Sequence, residues 1–279
     1  MHTLWFSTGI VGLALIAAPI SAGQAQSTPA PAAPMAAKVL IVMDERPQMQ
    51  VLAKYISEKG HVEGQIVDQK TMPEDWSGYL AVIGYIHGNL EEKAERKIID
   101  YTRAGGRFIC LHHMISSGKS KNRFYFDFLG VRMDGIELSR QPAEPGGHYA
   151  WREGIEQTIV NLDPKHYITS NGVQWPEKTI FTPADSNLGS KEYPALRFED
   201  SEVYMNVKFT DGRDKALLLG YKYLDDRNQV LQQQVIAGWA KPSGKGLIVY
   251  IQMGHSAHEY QNPAVAQMVL NAIVWKPRS

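Results

Sequence analysis

The sequence predicts an α/β domain, with a mostly parallel sheet flanked by helices and an added β-rich C-terminal half. Two observations predict it. Before residue 111, short continuous apolar runs alternate with amphipathic segments at helical spacing. After residue 200, apolar runs follow one another with turn residues between them and a single closing helix. Strands alternating with helices mean βαβ units, whose sheets take ligands at the carboxyl ends of their strands.

The elements follow in order. Residues 38–43 (Lys-Val-Leu-Ile-Val-Met) form a run buried on both faces and ending at Asp44. Residues 47–59 carry Met49, Leu52, Ala53 and Ile56 at helical spacing, and Gly60 suits a C-terminal cap. Residues 61–67 and 79–85 supply the next two strands, and 90–104 a charged amphipathic helix stopped by Gly105-Gly106. Residues 107–111 are a fourth buried strand. Residues 142–191, rich in Pro, Gly and Asn, hold only short segments such as 158–162. Strands are expected at 202–209, 216–224, 235–240 and 246–253, with a turn at 242–246 between the last two. Residues 263–275 close the chain as a helix, with Pro263 in its first turn and Asn262 as its cap.

Ahead of this domain, residues 4–20 are almost entirely apolar, and small residues follow to Ala25. This is the layout of a signal peptide, residues 1–25, cleaved after Ala25; the run is short for a membrane span. Residues 26–37, rich in Pro and Ala, read as a linker. The expectation is a periplasmic or secreted protein with no membrane span in its mature form. The chain of 279 residues has 29 basic and 29 acidic side chains, so nothing marks a nucleic-acid partner. The single cysteine, Cys110, excludes an intramolecular disulfide, and its place in a buried strand makes it an inert thiol.

Three segments carry a resemblance to a known family. One is Gly105-Gly106-Arg107-Phe108-Ile109-Cys110-Leu111-His112, glycines leading through an apolar strand to a histidine. Another is residues 161–169, similar to an Asp-x-x-His-Pro-Ile-Thr stretch, with Tyr167 in place of the proline. The C-terminus supplies Gly238-Trp239, Gly244-Lys245-Gly246, Gly254-His255 and the helix ending at Trp275, and Glu202-Val203-Tyr204 resembles a Glu-x-Tyr element. Together these segments resemble the ThuA-like (trehalose-utilisation) family; the resemblance runs from about residue 38 to 276 and implies a flavodoxin-like fold of the class I glutamine amidotransferase kind. It implies carbohydrate utilisation, with a sugar or keto-glycoside as ligand. Where the amidotransferases keep a nucleophilic cysteine on the turn after a buried strand, this sequence has His112, so glutaminase activity is not implied.

The chemistry-bearing residues are histidines and a carboxylate. His112 and His255 follow strands at their carboxyl ends and are read with Glu202 as the catalytic group, imidazole being suited to acid–base work near neutral pH. His148, His166 and Tyr204 are read as substrate-binding. No cofactor is specified; a divalent metal would find ligands in His112, His166, His255 and Glu202. His113 is set aside, because neighbours on a strand point to opposite faces. His87 is read as a turn residue at the rim. The competing reading is a non-catalytic carbohydrate-binding or interaction domain, with Trp151, Trp175 or Tyr204 as stacking platforms.

Overall fold

The computed structural model describes residues 1–4 and 37–277; the expected signal peptide beyond residue 4 and the linker up to residue 36 lie outside the described residues. The chain divides into a unit of residues 1–35 and a unit of residues 36–279. In the first, residues 1–4 are exposed and without regular structure. The second holds, in order, β1 (Ala37–Met43), α1 (Arg46–Gly60), β2 (Val62–Val67), β3 (Ala81–Tyr85), α2 (Glu92–Arg103), β4 (Arg107–Leu111), α3 (Tyr125–Leu129), β5 (Val131–Met133), β6 (Ala150–Asn161), α4 (Tyr167–Ser170), β7 (Glu177–Phe181), β8 (Lys191–Met205), β9 (Val207–Phe209), β10 (Ala216–Asp225), β11 (Val230–Ser243), β12 (Gly246–Ile251), α5 (Ala257–Gln261) and α6 (Pro263–Val274).

Ten strands form one mixed sheet in the order β2-β1-β3-β4-β12-β11-β10-β6-β8-β7, and β5 and β9 form a separate antiparallel pair. From β2 to β12 the pairings are parallel, and from β12 to β7 they are antiparallel. The expected mostly parallel sheet is therefore corrected. The second half adds β11, β10, β6, β8 and β7 to the same sheet by antiparallel pairing. Residues 39–42, 81–83 and 108–111 are fully buried, as continuous apolar strands covered on both faces must be. No helix among the described residues is long and apolar enough to cross a membrane.

Two local expectations also change. The left-handed residue that ends α1 is His61 (φ 52°), not Gly60. Gly60 is small for another reason: a Cβ there would lie 2.4 Å from Leu270 Cδ1, so α1 and α6 meet at this point. And where only short segments were expected between residues 142 and 191, β6 runs as one long strand into Asn161. It alternates poorly because it is bulged, with register shifts about Ile155.

Leu111, Ile251, Gly238, Leu219 and Asn161 stand in register across β4, β12, β11, β10 and β6. β6 runs antiparallel to β4, so its earlier residues and the later residues of β8 project beyond the carboxyl edge of the parallel strands. Glu202 pairs with Glu153, well past that edge. Gly154 (φ 64°) and Asp200 (φ 53°) take left-handed conformations at the bulges, which bend the β6–β8 ribbon back over the strand ends.

Candidate functional site

The site is built at the end of β4. Leu111 is the last strand residue, and His112 turns sharply with φ 40° into a short 3₁₀ segment, residues 112–115. A non-glycine residue in this region costs about 1–2 kcal/mol and persists only where its surroundings hold it. Here the hold is a hydrogen bond between His112 Nδ1 and the Gln252 carbonyl just beyond β12. Because the backbone has left the strand, strict alternation of faces ends at Leu111. His112 and His113 therefore both enter the site, with ring centroids 4.2 Å apart.

One oxygen gathers the cluster. Glu202 Oε2 lies 2.9 Å from His112 Nε2, 3.4 Å from His113 Nδ1 and 3.3 Å from His255 Nδ1, and accepts a hydrogen bond of 2.8 Å from the Tyr204 hydroxyl. His113 Nδ1 is 2.9 Å from that hydroxyl. One nitrogen from each imidazole and one Glu202 oxygen all lie within 4.8 Å of one another, a spacing able to hold a metal ion. Behind His113 stands Glu45, from the loop after β1, with Oε2 at 3.5 Å from His113 Nε2 and Oε1 at 3.0 Å from His87 Nδ1. His87 stacks on His113 at 4.2 Å between centroids. His87 N and Gly88 N donate to the two Asp44 oxygens at 2.7 and 2.8 Å, tying the loop after β3 to the loop after β1.

Above the cluster opens a cleft of about 220 Å³, walled by His87, Ser116, Tyr149, Trp151, Glu153 and His255. Tyr149, Trp151 and Glu153 alternate along the start of β6, and Glu202 and Tyr204 along β8, so period-2 geometry puts one face of each at the cleft. His112 is fully buried beneath it, and His255 is the most open of the three imidazoles around Glu202.

Electrostatics separates the groups. Burial would raise the Glu202 carboxyl, but the imidazoles of His112 and His255 outweigh it and hold the group well below the ordinary carboxylate range. Glu202 in turn raises His255 above its usual value, against the opposing effect of burial. Burial first, and the neighbouring His112 second, push His113 down to about 3. Hydrogen bonding to His113 is the main reason that Glu45 sits at about 2, burial opposing it. Burial keeps the Tyr204 phenol protonated far above neutral pH, so it donates.

A family model described as ThuA, trehalose utilisation, matches residues 38–276. The chain belongs to this family. A ThuA-like protein from Bacteroides uniformis is 18% identical and superposes with a TM-score of 0.57, over 88% of this chain and 93% of that one. That similarity is one of fold. A β-galactosidase from Rahnella sp. R3 (14% identity, TM-score 0.47, 82% of this chain and 30% of that one) and a glutamine amidotransferase from Thermotoga maritima (10%, 0.42, 86% and 96%) are more distant. No curated protein matches the chain.

In this ThuA-family chain, four of the residues singled out from the sequence come together: His112, His255, Glu202 and Tyr204. His148 does not join them. It is one position out of phase with Tyr149, and its backbone carbonyl accepts from Asn206 Nδ2 at 2.8 Å. His166 is also elsewhere, because the antiparallel β6 delivers it to the opposite edge of the sheet. There its Nδ1 caps α4 by accepting from Ile168 N at 3.2 Å, and its ring lies 4.5 Å from Trp275. Trp175, tied to the Thr169 carbonyl at 2.8 Å, shares that edge. In place of His166 the cluster takes His113. Glu45, which the sequence reading passed over, carried one usable signal: it stands in the loop after the first buried strand, where an α/β sheet places its ligands.

Proposed function

We propose that this chain is an exported enzyme of carbohydrate utilisation, acting on a sugar or keto-glycoside by imidazole-based acid–base or metal-assisted chemistry. One observation carries the reading: three imidazoles and a phenol converge on one carboxylate oxygen at the floor of a cleft walled by Tyr149 and Trp151. Family membership supports the carbohydrate class. The strand order β2-β1-β3-β4-β12 in the parallel half supports its description as flavodoxin-like, the doubly wound order whose ligands bind beyond the strand ends.

Within this reading the roles divide by position. His255, partly open to the cleft and held near Glu202, is the imidazole of the cluster placed nearest to substrate, as a proton carrier or as a metal ligand. His112 is sealed below and acts through Glu202 as a positioning or ligand residue. Trp151 offers an apolar face for a sugar ring, its other neighbour being the Arg140 guanidinium at 5.4 Å. An enolisable keto-sugar needs a base at the α-carbon and a positive group at the carbonyl oxygen, and the cluster can offer both. Glutamine hydrolysis is disfavoured. The Cys110 thiol is buried within β4, beside the Tyr125 hydroxyl at 3.6 Å, and burial pushes it up to about 12.

The test is turnover of oxidised and unoxidised glycosides by the wild type and by His112→Ala and His255→Ala. Turnover reduced roughly 100-fold or more in each variant is expected, the usual scale for a lost acid–base group. Sugar binding without turnover, unchanged in both variants, would overturn the enzyme reading in favour of a binding module.

A further inference from the structure

His112 poses a proton-counting problem. Its Nδ1 faces a backbone carbonyl, which only accepts, so Nδ1 must carry the hydrogen. In a neutral ring Nε2 is then a bare lone pair, yet it points at Glu202 Oε2, another lone pair, from 2.9 Å. His113 repeats the pattern, with Nε2 facing the Glu45 carboxylate at 3.5 Å and Nδ1 near both Glu202 Oε2 and a hydroxyl already donating to Glu202. His255 Nδ1, buried and 3.3 Å from the same oxygen, has no hydrogen-bond partner at all.

Two arrangements resolve this. Protons alone require one extra proton held between His112 Nε2 and Glu202 Oε2 in a buried pair, and they still leave His255 Nδ1 without a partner. A single divalent cation instead accepts every inward lone pair at once and leaves each outer N–H with a correct acceptor, Gln252 O for His112 and Glu45 for His113. Histidine ligands that donate their second N–H to a carbonyl or a carboxylate are the usual outer shell of such a site. Donors on one cation with bonds of about 2.1 Å lie about 3.0–3.4 Å apart, and the three imidazole distances from Glu202 Oε2 are 2.9, 3.4 and 3.3 Å.

We infer that His112 Nε2, His113 Nδ1, His255 Nδ1 and Glu202 Oε2 form a binding site for one divalent first-row transition cation, with an open position toward the cleft. Glu202, His113 and His255 line that cleft and His112 does not, so the protein covers the cation from below and leaves its upper side to a substrate oxygen. Three nitrogens and one carboxylate favour zinc, iron or cobalt over calcium or magnesium. Outer-shell order comes from a buried chain. Gln252 Nε2 donates to Gln157 Oε1 at 3.3 Å, Gln157 Nε2 donates to Ser201 Oγ and to the Glu202 carbonyl, Ser201 donates to Glu259, and Glu259 accepts from Gly254 N at 2.7 Å. One network thereby fixes the backbone beside His112, Glu202 and His255.

This site rests on the cleft being the functional one but not on any substrate. The purified full chain, stripped and titrated with Zn²⁺ and with Co²⁺, should bind one cation per chain, and the cobalt form should show visible ligand-field bands. His255→Ala and Glu202→Gln should abolish those bands, the first being a partly open position whose loss spares the fold. Glu45→Gln, outside the ligand set, should weaken affinity roughly 10–100-fold while keeping the bands. Failure of the wild type to bind either ion, or affinity unchanged in His255→Ala, overturns the site while leaving the glycoside reading intact if turnover survives in metal-free protein. Stoichiometric binding with no turnover on any glycoside sinks the glycoside reading and supports the site.

Discussion

Lys119 shows how much structure the site's loops demand of single residues. Its side chain is fully buried, and Nζ donates to the carbonyls of Ile86, His87 and His113 and to Ser116 Oγ. Burial lowers its pKa to about 8, so the ammonium persists at neutral pH and all its hydrogens are used. It fastens the loop after β3 to the turn after β4, and with them His87 and His113. Lys119→Met keeps the length and removes every donor, taking this partner from the Ile86 and His87 carbonyls while His113 O keeps Ser116 N. We expect a loss of about 3 kcal/mol or more in urea unfolding, on the scale of a broken buried polar network. A loss under about 0.5 kcal/mol would show that water replaces the ammonium. At this scale the sequence was legible where strand ends were recognisable. His112 and His255 stood at the carboxyl ends of apolar runs, and Glu202 and Tyr204 kept the period of a strand. His113 was missed because alternation was carried one residue too far: a left-handed turn at His112 has no signature in side-chain type, since the residue adopting it is a histidine and not a glycine.

Elements explain the other departures. β1, β3 and β4 were readable as continuous apolar runs covered on both faces and α1 and α2 by their helical period, and β4 was placed at Arg107–Leu111 to the residue. β6 and β8 were not, because bulges at residues 153–157 break the alternation by which a strand is recognised. Those same bulges carry Glu202 over His112, so the feature that hides the strands also makes the site. The parallel-to-antiparallel switch at β12 was likewise hidden: a buried parallel strand and a buried antiparallel strand look alike when both faces are covered. α4 supports a prediction of its own. His166 caps it through an Nδ1 lone pair, and burial lowers the pKa of this imidazole below its ordinary value. The unfolded chain then binds more protons than the folded one between the folded value and about 6.5. Stability is therefore complete above about 6.5 and falls as pH drops through that window, where protonation also destroys the cap. His166→Asn keeps a capping oxygen and removes the titration. The wild type should lose melting temperature from pH 7 to pH 5 more steeply than the variant, by thermal scans at matched ionic strength. Parallel slopes would refute the role.

Across the whole molecule the two edges of the sheet do different work. The carboxyl edge of β1, β3, β4 and β12 holds the imidazole cluster, while the opposite edge, with His166, Trp275 and the Arg107 donors to the end of α6, is structural. The core that joins them is apolar and continuous from β1 to α6, and the only cysteine is buried within it. Folding therefore needs no oxidising compartment, and the melting temperature should be the same with and without reductant. The fold is thus neutral on where the protein works, and the proposed export rests on residues 1–25 alone. On the proposed reading, the apolar run with small residues at positions 23 and 25 is a cleaved leader, and the Pro- and Ala-rich stretch after it links to β1. Expressed with its full leader in a Gram-negative host, the protein should be recovered from the periplasmic fraction with Gln26 as its first residue, by N-terminal sequencing or intact mass. An unprocessed chain retained in the membrane fraction would mean that residues 4–20 act as an anchor, and a full-length chain in the cytosol would remove export from the reading altogether.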